Sequence, residues 1–130
     1  VYMLFTRGTS HSFHIYINFY NIGFIDNNYF FFVITIKYKD GNGDLGDENP
    51  DILNIHVKDN RLNKADFYHL HALSPPSKSL PIEGTLNIRL KNTFLIGSGN
   101  SESTSYEVKI QDRAGNWSNS IITDFITITK

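Results

Sequence analysis

The chain has 130 residues, 12 Lys and Arg against 13 Asp and Glu, a formal net charge of -1 and 40% hydrophobic residues, which is one domain's worth of chain with apolar material for one core. A charge balance this even supplies no general electrostatic drive toward nucleic acid or an anionic membrane, so neither is an expected partner. With 0 Cys there is no disulfide framework, no thiolate nucleophile and no Cys-ligated metal.

Residues 1–32 form a compositional unit of their own. Arg7 and Asp26 are its only charged residues, and it holds 11 of the 18 aromatic residues of the chain. Left exposed, such a segment is an aggregation hazard. Two readings stand side by side. The alternation of Phe13, Ile15, Ile17 and Phe19 with His14, Tyr16, Asn18 and Tyr20 is the period of a strand added at a sheet edge. The Phe, Tyr, Ile and Asn bias is also what AT-rich DNA yields when translated outside a real reading frame. Val1 to Phe5 lacks the charged start and apolar core of a signal peptide, and Tyr29 to Ile36, the longest apolar stretch, is too short for a membrane span.

From Val33 to Lys130 the pattern is that of an all-β domain. Ile34, Ile36 and Tyr38 alternate with Thr35, Lys37 and Lys39, and the same one-dry, one-wet rhythm recurs through Leu53–Lys58, Phe67–Ala72, Leu86–Lys91, Tyr106–Gln111 and Ile126–Thr129. No stretch carries a sustained helical period. The intervening segments, Asp40–Pro50, Asp59–Asp66, Ser74–Pro81, Asn92–Ser105 and Asp112–Asn116, are rich in turn-forming residues, and Gly97–Ser105 reads as a mobile Gly/Ser loop. Short strands at this spacing predict two antiparallel sheets packed face to face. Tyr38, Ile55, Leu70, Leu86, Ile88, Val108, Ile110 and Ile128 are the expected core.

Tyr106-Glu107-Val108-Lys109-Ile110-Gln111-Asp112-Arg113-Ala114-Gly115-Asn116-Trp117-Ser118 runs an aromatic-led strand into an Asp-x-Ala-Gly-Asn-x-Ser turn. It resembles the last hairpin of bacterial immunoglobulin-like and fibronectin-III-like domains. Ile36-Lys37-Tyr38-Lys39-Asp40-Gly41-Asn42-Gly43-Asp44-Leu45-Gly46 is similar to an Asp/Gly-rich loop of surface lipoproteins from Bacteroidetes-type bacteria. Together the resemblances cover residues 33–130. They imply an immunoglobulin-like antiparallel β-sandwich used as a non-catalytic structural or interaction module of an envelope or secreted protein, extracytoplasmic, with other surface domains or proteins as partners. In such a sandwich Tyr106, opening a strand after a long loop, fits the tyrosine corner.

Asp40, Asn42 and Asp44 place oxygen ligands at alternate positions, with Gly41 and Gly43 allowing the backbone to curl so that all three point inward, as calcium loops do. Leu45 and Asp51 stand where an EF-hand requires Gly and Glu, and no helices flank the loop, so a strand-flanked Ca2+ loop is the form left open. If the strands around this loop are the second and third of the sandwich, and those around Asp112 the last two, the two loops share one end, making Asp112 the long-range fourth ligand. The alternative is a Gly-rich turn whose Asp and Asn cap backbone amides. His69 and His71 form a His-x-His pair short of a third zinc ligand, although His56 lies on another strand. Trp117 is expected to pack over the open end of the sandwich. No nucleophile elbow, phosphate-cradling loop or dinucleotide fingerprint points to an enzyme. The alternative to the structural module is a carbohydrate-binding module, for which Trp117, Tyr68 or Phe67 would form a flat exposed row.

Overall fold

Alternation of apolar and polar residues decides where most of the strands run. In the computed structural model of the protein, which describes residues 15–25, 28–74, 80–90 and 94–129, these are β1 (Ile15–Ile25), β2 (Asn28–Asp40), β3 (Ile55–Asp59), β4 (Asp66–Tyr68), β5 (Ile82–Leu90), β6 (Ser101–Thr104), β7 (Tyr106–Ile110), β8 (Ile121–Ile122) and β9 (Ile126–Thr129). Every pairing is antiparallel, and no helix occurs among the described residues. None is therefore long and apolar enough to cross a membrane. The strands form three sheets, in the orders β1-β2-β5, β4-β3-β7-β8 and β6-β9.

The first two sheets share one core. Ile15 and Ile17 of β1, Phe32, Ile34 and Ile36 of β2, and Ile88 and Leu90 of β5 meet Ile55 and Val57 of β3 and Val108 and Ile110 of β7. The Phe32 and Tyr106 rings touch across the layer at 5.3 Å between centroids. Of the eight residues expected inside, Tyr38 and Leu86 are half-buried against this core and the other six are buried.

The structure pairs β1 with β2 from Ile15↔Asp40 onward, with β1 at the end of the sheet order. Phe13 and His14 lie outside the described residues. The free edge of β1 is partly closed by Asn119, whose side chain accepts from Ile17 N–H and donates to Ile17 C=O, both at 2.9 Å. An amide here stands in for the missing neighbouring strand.

Two expectations are corrected. The Gly/Ser stretch read as mobile contains β6, which pairs with β9 from Ser101↔Thr129 to Thr104↔Ile126. Its sequence, Ser-Glu-Ser-Thr, hides the strand because Glu102 and Thr104 serve hydrogen bonds instead of apolar contacts. Leu53 is not part of β3; it is exposed, and Asn54 interrupts the alternation by turning inward to accept from Leu70 N–H and donate to Leu70 C=O. The last apolar run is divided at Thr123, which bonds the main chain of Tyr106 through both its N–H and its hydroxyl, so β8 joins β7 while β9 crosses to β6.

Asp59, at the end of β3, receives Arg61 through two guanidinium bonds of 3.2 and 2.7 Å and the Thr104 hydroxyl at 2.6 Å, while Arg61 also binds Glu102 at 2.6 Å. Burial alone would raise the Asp59 carboxyl; the Arg61 and Thr104 bonds outweigh it and hold it below the ordinary value of 3.8. A lowered folded-state pKa stabilises above the unfolded value, and that contribution disappears as pH falls through the folded one. Below about pH 4 the wild-type melting temperature should drop more steeply than that of Asp59→Asn, which should be lower but flatter at neutral pH. Parallel acid melts of the two proteins check this.

Candidate metal centre

Strand phase explains why an aspartate is buried at one end of the core. Phe32, Ile34, Ile36 and Tyr38 take the inward positions of β2, and the next inward position is Asp40, which is 0% exposed. In β7 the inward positions are Tyr106, Val108 and Ile110, and two residues on stands Asp112, 5% exposed. The central strands of the two facing sheets therefore each deliver a carboxylate to the same end of the sandwich. The loop leaving β2 closes over this end. Leu45 bridges Asp112 as an isolated antiparallel pair, and Arg113 N–H donates to Asp44 C=O at 3.0 Å.

The loop has a fixed shape. Gly43 and Gly46 adopt φ of 72° and 85°, the left-handed region. Ser74 donates its hydroxyl to Gly43 C=O at 2.6 Å, and the Arg113 guanidinium donates to Gly46 C=O at 2.7 Å. Leu45, a mismatch in an EF-hand, is here a fully buried core residue. Its neighbours' backbone is tied to the following segment by Asp47 N–H to Leu70 C=O and Leu73 N–H to Leu45 C=O.

Within this frame Asp40 Oδ2, Asn42 Oδ1 and Asp44 Oδ1 are buried and have no hydrogen-bond partner. The other Asp40 oxygen accepts only a long 3.4 Å bond from Asn42 N–H. Burial, with the Asp44 carboxyl beside it and Asp112 acting across the interface, pushes the Asp40 carboxyl up to about 6. Asp112 is differently placed. Its Oδ1 accepts from Ala114 N–H and Asn116 N–H at 3.0 and 2.8 Å, and its Oδ2 accepts only a 3.3 Å bond from the Asn116 amide.

The Asp-x-Ala-Gly-Asn-x-Ser residues all have local tasks. Asp112 caps the turn, Gly115 takes φ 90°, and Ser118 accepts from Ile110 N–H through its hydroxyl while its own N–H returns to Ile110 C=O. The structure thus brings Asp40, Asn42, Asp44 and Asp112 to one end, with the first three presenting unused oxygens and the fourth mostly engaged in its own turn.

The histidines are not gathered. His69 Nδ1 bonds Ile52 C=O at 2.7 Å, and its ring is 6.1 Å from that of His71, beyond the end of β4. Among the described residues no group of three or more His, Cys, Asp or Glu is drawn together tightly enough to hold a metal by itself, so any shell at the loop end must include the Asn42 amide oxygen or main-chain oxygens. Trp117 does not cover the open end. It pairs with Gln111 and lies on the outer face of β3 and β7, edge-on to His56 and under the Lys109 ammonium at 4.7 Å. Comparison with protein-family models, curated proteins and solved structures finds no match to this chain.

Proposed function

We propose that the chain is a non-catalytic structural or interaction module of a bacterial envelope or secreted protein, with immunoglobulin-like topology and an extracytoplasmic place of work. The observation that carries this reading is the strand order. Two antiparallel sheets in the orders β1-β2-β5 and β4-β3-β7-β8, with consecutive β2 and β3 in different sheets, support it by comparison with the two sheets of an immunoglobulin-like sandwich, while β6-β9 stands outside that comparison. The two motifs that resemble bacterial surface domains fall at the loop between β2 and β3 and at the turn after β7, and their residues organise those connections. A small cavity at the opposite end, about 40 Å³ and lined by residues including Asp59, Tyr68 and Tyr106, has room for little more than water.

The competing carbohydrate reading depends on the outer face of β3, β4 and β7, where Phe67 is 46% exposed. Tyr68 packs inward against the core instead. His56 stands edge-on to both remaining rings, at 79° to Phe67 and 81° to Trp117, and so adds no flat face to a row with them. A sugar ring stacks on a flat face, and here the Trp117 face is already taken by Lys109. Purified protein on a glycan array should therefore give no specific signal. Binding that is lost in Trp117→Ala would replace the structural reading with the carbohydrate one.

A further inference from the structure

We propose that the loop end of the sandwich is a calcium site, with Asp40 Oδ2, Asn42 Oδ1 and Asp44 Oδ1 as its side-chain ligands and Asp112 as the carboxylate that adds charge from the facing sheet. The inference deepens the structural-module reading and rests on it for the mechanical consequence, whereas ion binding stands on the geometry alone.

A group of acidic residues is ordinarily only a polar turn. Here Asp40 Oδ2, Asn42 Oδ1 and Asp44 Oδ1, from alternate residues, are buried with no donor apart from the neighbouring Asp40 and Asp44 carboxyls themselves, and Asp40 is 0% exposed. Buried acceptors of this kind require an explanation. A single water carries two hydrogens; it cannot serve three acceptors and does not offset the charge of the neighbouring Asp40 and Asp44 carboxylates. A divalent cation does both.

The donors are all oxygen, which selects a hard cation over zinc. They mix one amide with carboxylates from a single tight loop, a set suited to the larger and more adaptable calcium shell; magnesium demands a near-ideal octahedron. The Gly43 and Asp44 carbonyls are already engaged by Ser74 and Arg113, so water and other main-chain oxygens must complete the coordination. Because Asp40 ends β2 and Asp112 follows β7, an ion held between them ties the two sheets together where neither strand pairs with the other.

The test is titration of chelator-treated protein with calcium chloride, followed by calorimetry and by thermal melting. A single ion should bind, and saturating calcium should raise the melting temperature by several degrees, with magnesium binding about tenfold more weakly or worse. Asp44→Asn preserves shape but removes one of the mutually repelling charges. It should raise the melting temperature of the metal-free protein and weaken calcium binding by at least about tenfold. A residue serving only the turn would leave the metal-free protein unchanged or weaker, with no calcium response to lose. If the variant fails to fold, amide chemical shifts of the wild type decide: calcium should move residues 40–46 and 112–116 first. Absence of heat and of any melting shift in millimolar calcium, an affinity indifferent to Asp44→Asn, or shifts centred elsewhere would overturn the site. None of these outcomes depends on the glycan array, so failure of the calcium site and failure of the structural-module reading are separately visible.

Discussion

A chain lacking residues 1–32 is expected to lose cooperative thermal unfolding. The deletion removes Ile15, Ile17 and Phe32, each 0% exposed, together with Phe19, Ile22 and Phe24, which pack against the core. Full burial of one such side chain is worth roughly 1.5–3 kcal/mol, so the three fully buried residues alone represent about 5–9 kcal/mol. That is comparable with the entire net stability of an ordinary domain, about 5–15 kcal/mol. The damage continues after the contacts are gone. Ile34 and Ile36 lose the strand beside them, the amides of β2 that paired with β1 face water, and Asn119 loses both of its partners on Ile17. Exposed apolar edges of this kind also favour association between chains. Circular dichroism melts of residues 33–130 beside the whole chain provide the measurement. A sharp transition within a few degrees of the parent, accompanied by better solubility, would instead mean that the segment is foreign to the domain.

Much of the loop end was legible in the sequence because it follows from a count of two. Ile34, Ile36 and Tyr38 fix the phase that buries Asp40, and Tyr106, Val108 and Ile110 fix the phase that turns Asp112 inward. The spacing of Asp40, Asn42 and Asp44 marked the same place independently, and the order of the strands put Asp112 beside it. Other features depend on partners that no local pattern contains. The strand at Ser101–Thr104 is polar on both faces and exists because Arg61, Ile96 and Gly97 converge on Glu102 and because Ile126–Thr129 pairs alongside. Leu45 reads as a failed EF-hand position until Asp112 is seen across from it. The inward turn of Asn54 is set by Leu70, sixteen residues away, and the edge of β1 is closed by Asn119, 102 residues away. Long-range polar bonds, in short, leave no period to read.

Gly46→Ala is expected to be among the most damaging single changes in the protein, and the glycines around the loop form a graded series that separates its causes. A Cβ at Gly46 would lie 2.2 Å from His71 O, 2.6 Å from His71 C and 2.7 Å from Ala72 Cα, all main-chain atoms. That backbone cannot retreat freely, because Asp47 N–H to Leu70 C=O and Leu73 N–H to Leu45 C=O fasten it on either side. At Gly43 the Cβ would meet Leu80 O at 2.2 Å, and any escape would displace Asn42 and Asp44, whose oxygens flank it. Gly115 has φ 90° but only the end of the Gln111 side chain at 4.0 Å, so alanine there incurs strain without a backbone clash. Gly41 has nothing within 4 Å and no left-handed φ. Equilibrium denaturation should therefore show a loss of roughly 3–5 kcal/mol for Gly46→Ala and for Gly43→Ala, about 1 kcal/mol for Gly115→Ala, and less than about 0.5 kcal/mol for Gly41→Ala. In thermal melts the first two should fall by at least about 10 °C. Equal losses at Gly46 and Gly115 would show that backbone conformation alone sets the cost, and that the close approach of the His71 and Leu80 carbonyls does not hold the loop in shape.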